Sequence, residues 1–109
     1  MEERVKADVL AVLLDLKKGV SKGDLELLKR ASDKTVHNAG IFQDESSTTV
    51  AVIAYSLYKV FSRERLHGQK AFSIFKGKVL NELNGAYTFL NKGDFKSYEK
   101  LVRKILALI

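Results

Sequence analysis

Residues 50–61 read Val-Ala-Val-Ile-Ala-Tyr-Ser-Leu-Tyr-Lys-Val-Phe, and residues 32–49 before them read Ser-Asp-Lys-Thr-Val-His-Asn-Ala-Gly-Ile-Phe-Gln-Asp-Glu-Ser-Ser-Thr-Thr. The apolar run decides the fold. Its β-branched residues alone would permit a strand. It is longer than an ordinary strand, runs on into Ser-Arg-Glu-Arg, and has no hairpin partner. A helix starting near Asp44 to Ser47 and running to about Arg63 is therefore expected. Its middle is apolar all round, so it belongs at the centre of a bundle, with Val52, Ile53 and Leu57 buried.

The flanking segments carry helical stripes. Val5, Val9, Val12 and Leu16 recur at spacings of four and three, which predicts helix 1 over 2–18, with Lys17 and Lys18 in the last turn and Gly19 as the stop. Ser21 and Asp24 form a Ser-x-x-Asp start for helix 2 over about 22–31, with Leu25 and Leu28 inward. Asp33 is expected to cap one short further turn through Val36 and Ala39, stopped at Gly40. Phe72, Phe75, Val79, Leu83, Ala86 and Leu90 predict helix 4 over about 70–91. Gly77 and Gly85 inside it suggest close packing against a neighbour. Asn91-Lys92-Gly93-Asp94 is a turn with Asp94 as N-cap, and helix 5 follows over 95–109. Its inward stripe is Tyr98, Val102, Ile105 and Ile109; Lys96, Lys100, Arg103 and Lys104 lie mostly off it.

The expectation is an all-α fold: one compact domain, 1–109, of about five helices around an apolar helix near 46–63. A chain of 109 residues buries a real core without staples. It has no Cys and no Pro, so it holds no disulfide, no thiolate chemistry and no Pro-rich linker. No signal peptide is visible, and no apolar run approaches the roughly 20 residues a spanning helix needs. No membrane contact is expected, and cysteine-free composition suits the cytoplasm.

The net charge of +6 is concentrated. Residues 59–78 hold Lys59, Arg63, Arg65, Lys70, Lys76 and Lys78 against Glu64 alone. Clustered cations neutralise phosphates and release counterions, so nucleic acid is one candidate partner for this segment. A solvated basic corner between two helices is the plainer reading.

His37, Asp44 and Glu45 form the other polar constellation. Asp33 and His37 stand four apart, on one helical face. A His with carboxylates can hold a divalent metal or act as a base near neutral pH. The plainer reading is that Asp33 and Asp44 cap helices. Ser46, Ser47, Thr48 and Thr49 likewise suit a helix start, or an anion at its free N–H groups. No HExxH, P-loop or GxSxG accompanies them, so no cofactor is expected.

The chain ends Ile105-Leu106-Ala107-Leu108-Ile109. Either these apolar residues are buried in an oligomer or the native polypeptide continues; the second is preferred. Leu101, Ile105, Leu108 and Ile109 offer more apolar surface than one inward stripe needs, which predicts self-association, most simply as a two-fold homodimer.

Two resemblances accompany these readings. Tyr87-Thr-Phe-Leu-Asn-Lys-Gly-Asp-Phe-Lys-Ser-Tyr resembles the turn of a tetratricopeptide-type helical hairpin, without a 34-residue period elsewhere. Ser32-Asp33, His37-Asn38-Ala39, Asp44-Glu45 and Val50 to Lys59 resemble a group of uncharacterised archaeal helical proteins, over about a quarter of the chain. Longer members of that group end in a segment similar to a helix-turn-helix. The resemblance implies a truncated helical domain whose DNA contact lies beyond Ile109. The preferred function is a non-enzymatic helical interaction module within a nucleic-acid-associated regulator. The alternative is a small metal-binding or hydrolytic domain using His37 with Asp44 and Glu45.

Overall fold

The computed structural model describes residues 1–63 and 69–109, without the side chain of Gln69. Among them the chain forms five helices and no strand: α1 (Glu3–Lys22), α2 (Leu25–Phe42), α3 (Glu45–Ser62), α4 (Gln69–Lys92) and α5 (Phe95–Leu108). The bundle measures 40 × 26 × 20 Å. Two helical hairpins, α2–α3 and α4–α5, are joined through α1, which packs on α2, α3 and α4. α3 shares the centre, with Val50, Ile53, Ala54, Leu57 and Phe61 all in the core.

Two Lys-Gly-Asp triplets build the sharpest turns. At Lys22-Gly23-Asp24 and Lys92-Gly93-Asp94 the glycine takes a left-handed φ, of 64° and 83°. The following Asp N–H returns to the carbonyl five residues back, Asp24 to Gly19 and Asp94 to Phe89, both at 2.9 Å. Each closes a Schellman stop. Each Asp then caps the next helix, Asp24 accepting from the Leu27 N–H at 3.1 Å and Asp94 from the Ser97 N–H at 3.2 Å. Stop and restart are thus written in adjacent residues.

Several expectations are corrected here. Gly19 does not stop α1; it is buried in its last turns, with Leu28 pressed against it. Ser21 lies inside α1 and caps nothing; Asp24 does that work. The turn expected from Asp33 to Gly40 is not separate. α2 runs unbroken to Phe42, because Ser32 and Thr35 face the core and the Thr35 hydroxyl folds back toward the carbonyls of Ala31 and Ser32, at 2.7 and 2.9 Å. Leu25 is exposed rather than inward, and α2 ends where Gln43 turns left-handed at φ 51°.

Val52 is 50% exposed, whereas Ile53 and Leu57 are fully buried as expected. A helix packed on one broad side still leaves a solvent stripe, and Val52 and Tyr55 fall on it. On α4 the inward stripe Val79, Leu83, Ala86 and Leu90 is fully buried. Gly85 admits Leu101 of α5, whose Cδ1 stands 2.6 Å from where a Cβ would lie; Gly77 faces open space. Phe61 meets Phe72 edge-on at 5.0 Å between ring centroids, tying the end of α3 to α4.

Candidate functional site

The polar segment before α3 is a helix start. Asp44 Oδ1 accepts from the Ser46 N–H at 2.8 Å. The Thr48 and Thr49 hydroxyls donate to the carbonyls of Asp44 and Glu45, at 3.1 and 2.8 Å. These hydroxyls are spent on their own helix. Asp33 and His37 are exposed on α2. Among the described residues no three His, Asp or Glu side chains converge to hold a metal, so His37, Asp44 and Glu45 are not gathered into a centre.

Glu45 does line a groove of about 280 Å³ between the start of α3 and α5, with Ser46, Thr49, Tyr98, Glu99 and Arg103. Burial, with the Glu99 charge adding to it, pushes the Tyr98 phenol above its ordinary range, so it stays protonated at any physiological pH. The groove thus offers two carboxylates, one guanidinium, an inert phenol and the hydroxyls of Ser46 and Thr49. The Thr49 hydroxyl donates to a backbone carbonyl rather than to a carboxylate.

The basic segment is divided. Lys59 is half-buried on α3, its Nζ 5.6 Å from the centroid of the Tyr55 ring. Arg63 is exposed just past the end of α3. Arg65 lies outside the described residues. Lys70 and Lys78 are exposed on α4, while Lys76 is half-buried. Two residues apart on a helix means about 200° of rotation, so Lys76 and Lys78 point to opposite sides. The described basic residues of 59–78 therefore do not all lie on one face, and they leave the solvated basic corner as the plainer reading.

A different basic face is present, on α5. Burial of Tyr98, Val102 and Ile105 fixes the rotation of this helix. The opposite side then presents Lys96, Lys100, Arg103 and Lys104, all exposed. Lys96, Lys100 and Lys104 stand one turn apart, each step rising about 6 Å. None of the four forms an ion pair. In sequence, the α4–α5 hairpin carries eight basic residues, Lys70, Lys76, Lys78, Lys92, Lys96, Lys100, Arg103 and Lys104, against three acidic ones, Glu82, Asp94 and Glu99. The signal was legible in the helix 5 stripe, whose remainder is basic. Counting charge by segment hid it, because Asp94 and Glu99 dilute the sum.

Of the residues expected to mediate self-association, Ile105 alone is fully internal. Ile105 is fully buried in the core of its own bundle and has no surface to offer. Leu101 is half-buried against Gly85. Leu108 and Ile109, also half-buried, line an apolar groove of about 280 Å³ with Val60, Ala71, Phe72 and Phe75. No described helix is long and apolar enough to cross a membrane. No family model, no curated protein and no solved structure matches the chain.

Proposed function

We propose that this domain is a non-enzymatic interaction module that engages nucleic acid through the outer face of α5, within a nucleic-acid-associated regulator. The observation that carries the reading is the run Lys96, Lys100, Arg103 and Lys104, exposed on one face and unpaired with any carboxylate. Unpaired surface cations along one face of a helix leave their charge available to a partner. Against phosphates they displace condensed counterions, and the released ions drive association. The rest of the fold serves as scaffold: Tyr98, Val102 and Ile105 anchor α5, and α4 backs it.

The reading is tested by fluorescence anisotropy with a labelled mixed-sequence oligonucleotide at low salt. The wild-type chain should bind. The double variant Lys100→Glu with Arg103→Glu should lose binding while keeping its helical circular dichroism, because both side chains are exposed. Absence of binding by the wild type, or equal binding by the variant, would overturn it.

A further inference from the structure

We infer that the partner is a duplex, gripped by its sugar–phosphate backbone along the shallow groove between α4 and α5; this rests on the reading just given for the α5 face. The groove has a volume of about 390 Å³, and Asn81, Asn84 and Thr88 of α4 share it with Lys104 of α5. It exists because Gly85 lets Leu101 approach, drawing the two helices together. Lys104 therefore belongs to two surfaces at once. It closes the cationic stripe of α5 and forms one wall of a groove whose other wall is amide-rich.

That composition selects a kind of contact. Neutral amides beside cations are the donors that meet phosphate and sugar oxygens and fix a duplex in position without reading its bases. Asn81 and Asn84 are exposed, and neither side-chain amide is engaged in a hydrogen bond. Thr88 has already donated its hydroxyl to the Asn84 carbonyl, at 2.9 Å, so it contributes shape rather than a donor. Single strands are held instead by bases stacked on exposed aromatic rings. The aromatic lining this groove, Phe89, is half-buried and packed against the core. With its one ring held partly under the surface, the groove gives a flexible strand little to stack on, whereas a duplex brings a rigid phosphate row.

Glu82 is the carboxylate of the lining, and it is half-buried. It repels a phosphate placed directly over it. The backbone is thereby steered toward Lys104 and Lys100 on one side and the Asn81 and Asn84 amides on the other. Glu82→Gln should tighten binding for the same reason.

The test compares a duplex, its separated single strand and heparin, each titrated with the full chain at several salt concentrations. The duplex should bind more tightly than either. Lys104→Ala should reduce the slope of log K against log salt by about 0.9, the value of one phosphate contact. Asn81→Ala with Asn84→Ala should weaken duplex binding by about fivefold per amide and leave that slope unchanged, since a neutral amide releases no counterion. Preference for the single strand, or heparin bound as well as the duplex, would overturn the inference and leave the cationic α5 face standing. An asparagine double variant that binds like wild type would remove the groove from the contact. Failure of the wild type to bind any of the three would overturn both.

Discussion

Leu28 Cδ2 stands 2.7 Å, and its Cγ 2.8 Å, from the point where a Cβ on Gly19 would lie. Leu28 is fully buried, so it cannot swing aside into solvent. Gly19→Ala should therefore destabilise the bundle by roughly 1–3 kcal/mol, the usual cost of overpacking. Gly77→Ala, on the open face of α4, should stabilise it by roughly 0.5–1 kcal/mol. Urea denaturation of the two variants beside wild type decides the matter. Equal effects would mean that the α1–α2 contact is looser than described.

The two neighbours Val52 and Ile53 should behave oppositely. Ile53 is fully buried and Val52 is half exposed. Ile53→Ala should cost roughly 2–5 kcal/mol. Val52→Ala should stay within roughly 0.5 kcal/mol of wild type. A comparable loss from both would place Val52 in a contact that the bundle does not contain.

Much of this architecture was legible in the residues, and its failures are instructive. The Lys92-Gly93-Asp94 turn is legible because Asn91 announces it and the stripes on either side end there. The equivalent Lys22-Gly23-Asp24 is masked because Gly19 follows two lysines and looks like a stop. Whether a glycine ends a helix or admits a neighbour depends on what packs there, and Leu28 is nine residues away. Asp33 and Gly40 misled for a similar reason: tertiary burial of Ser32 and Thr35 overrides local breaking propensity. The candidate site was legible only in part. The helix 5 stripe defined an apolar face, and its basic complement followed by subtraction. The groove beside it did not, because Gly85 and Leu101 meet only in the fold.

Asp94 makes stability depend on acid. Hydrogen bonds from the Ser97 hydroxyl, at 2.8 Å, and from the Ser97 N–H hold its carboxyl below the ordinary value of 3.8, helped by Lys100 and Lys92. A carboxylate with a depressed folded pKa contributes fully above its unfolded value, and that contribution is lost as pH falls through the folded one. The urea midpoint should therefore drop between about pH 5 and pH 2, and less steeply in Asp94→Asn. Identical acid limbs would show that folding does not lower the Asp94 pKa.

Ser47 Oγ is buried without a hydrogen-bond partner. A buried hydroxyl left unsatisfied is unfavourable by roughly 1–3 kcal/mol. Ser47→Ala should thus be neutral or stabilising, despite removing an atom from the α2–α3 hairpin. Thermal denaturation measures it. A fall in melting temperature of several degrees would reveal a partner for the hydroxyl.

The central claim is that the outer face of α5 binds a polyanion through four exposed cations, Lys96, Lys100, Arg103 and Lys104. The most direct test is the salt dependence of duplex binding by the intact chain. Four phosphate contacts predict a slope of log K against log salt of about −3.6. A slope near zero, or one that survives removal of all four charges, would contradict the account.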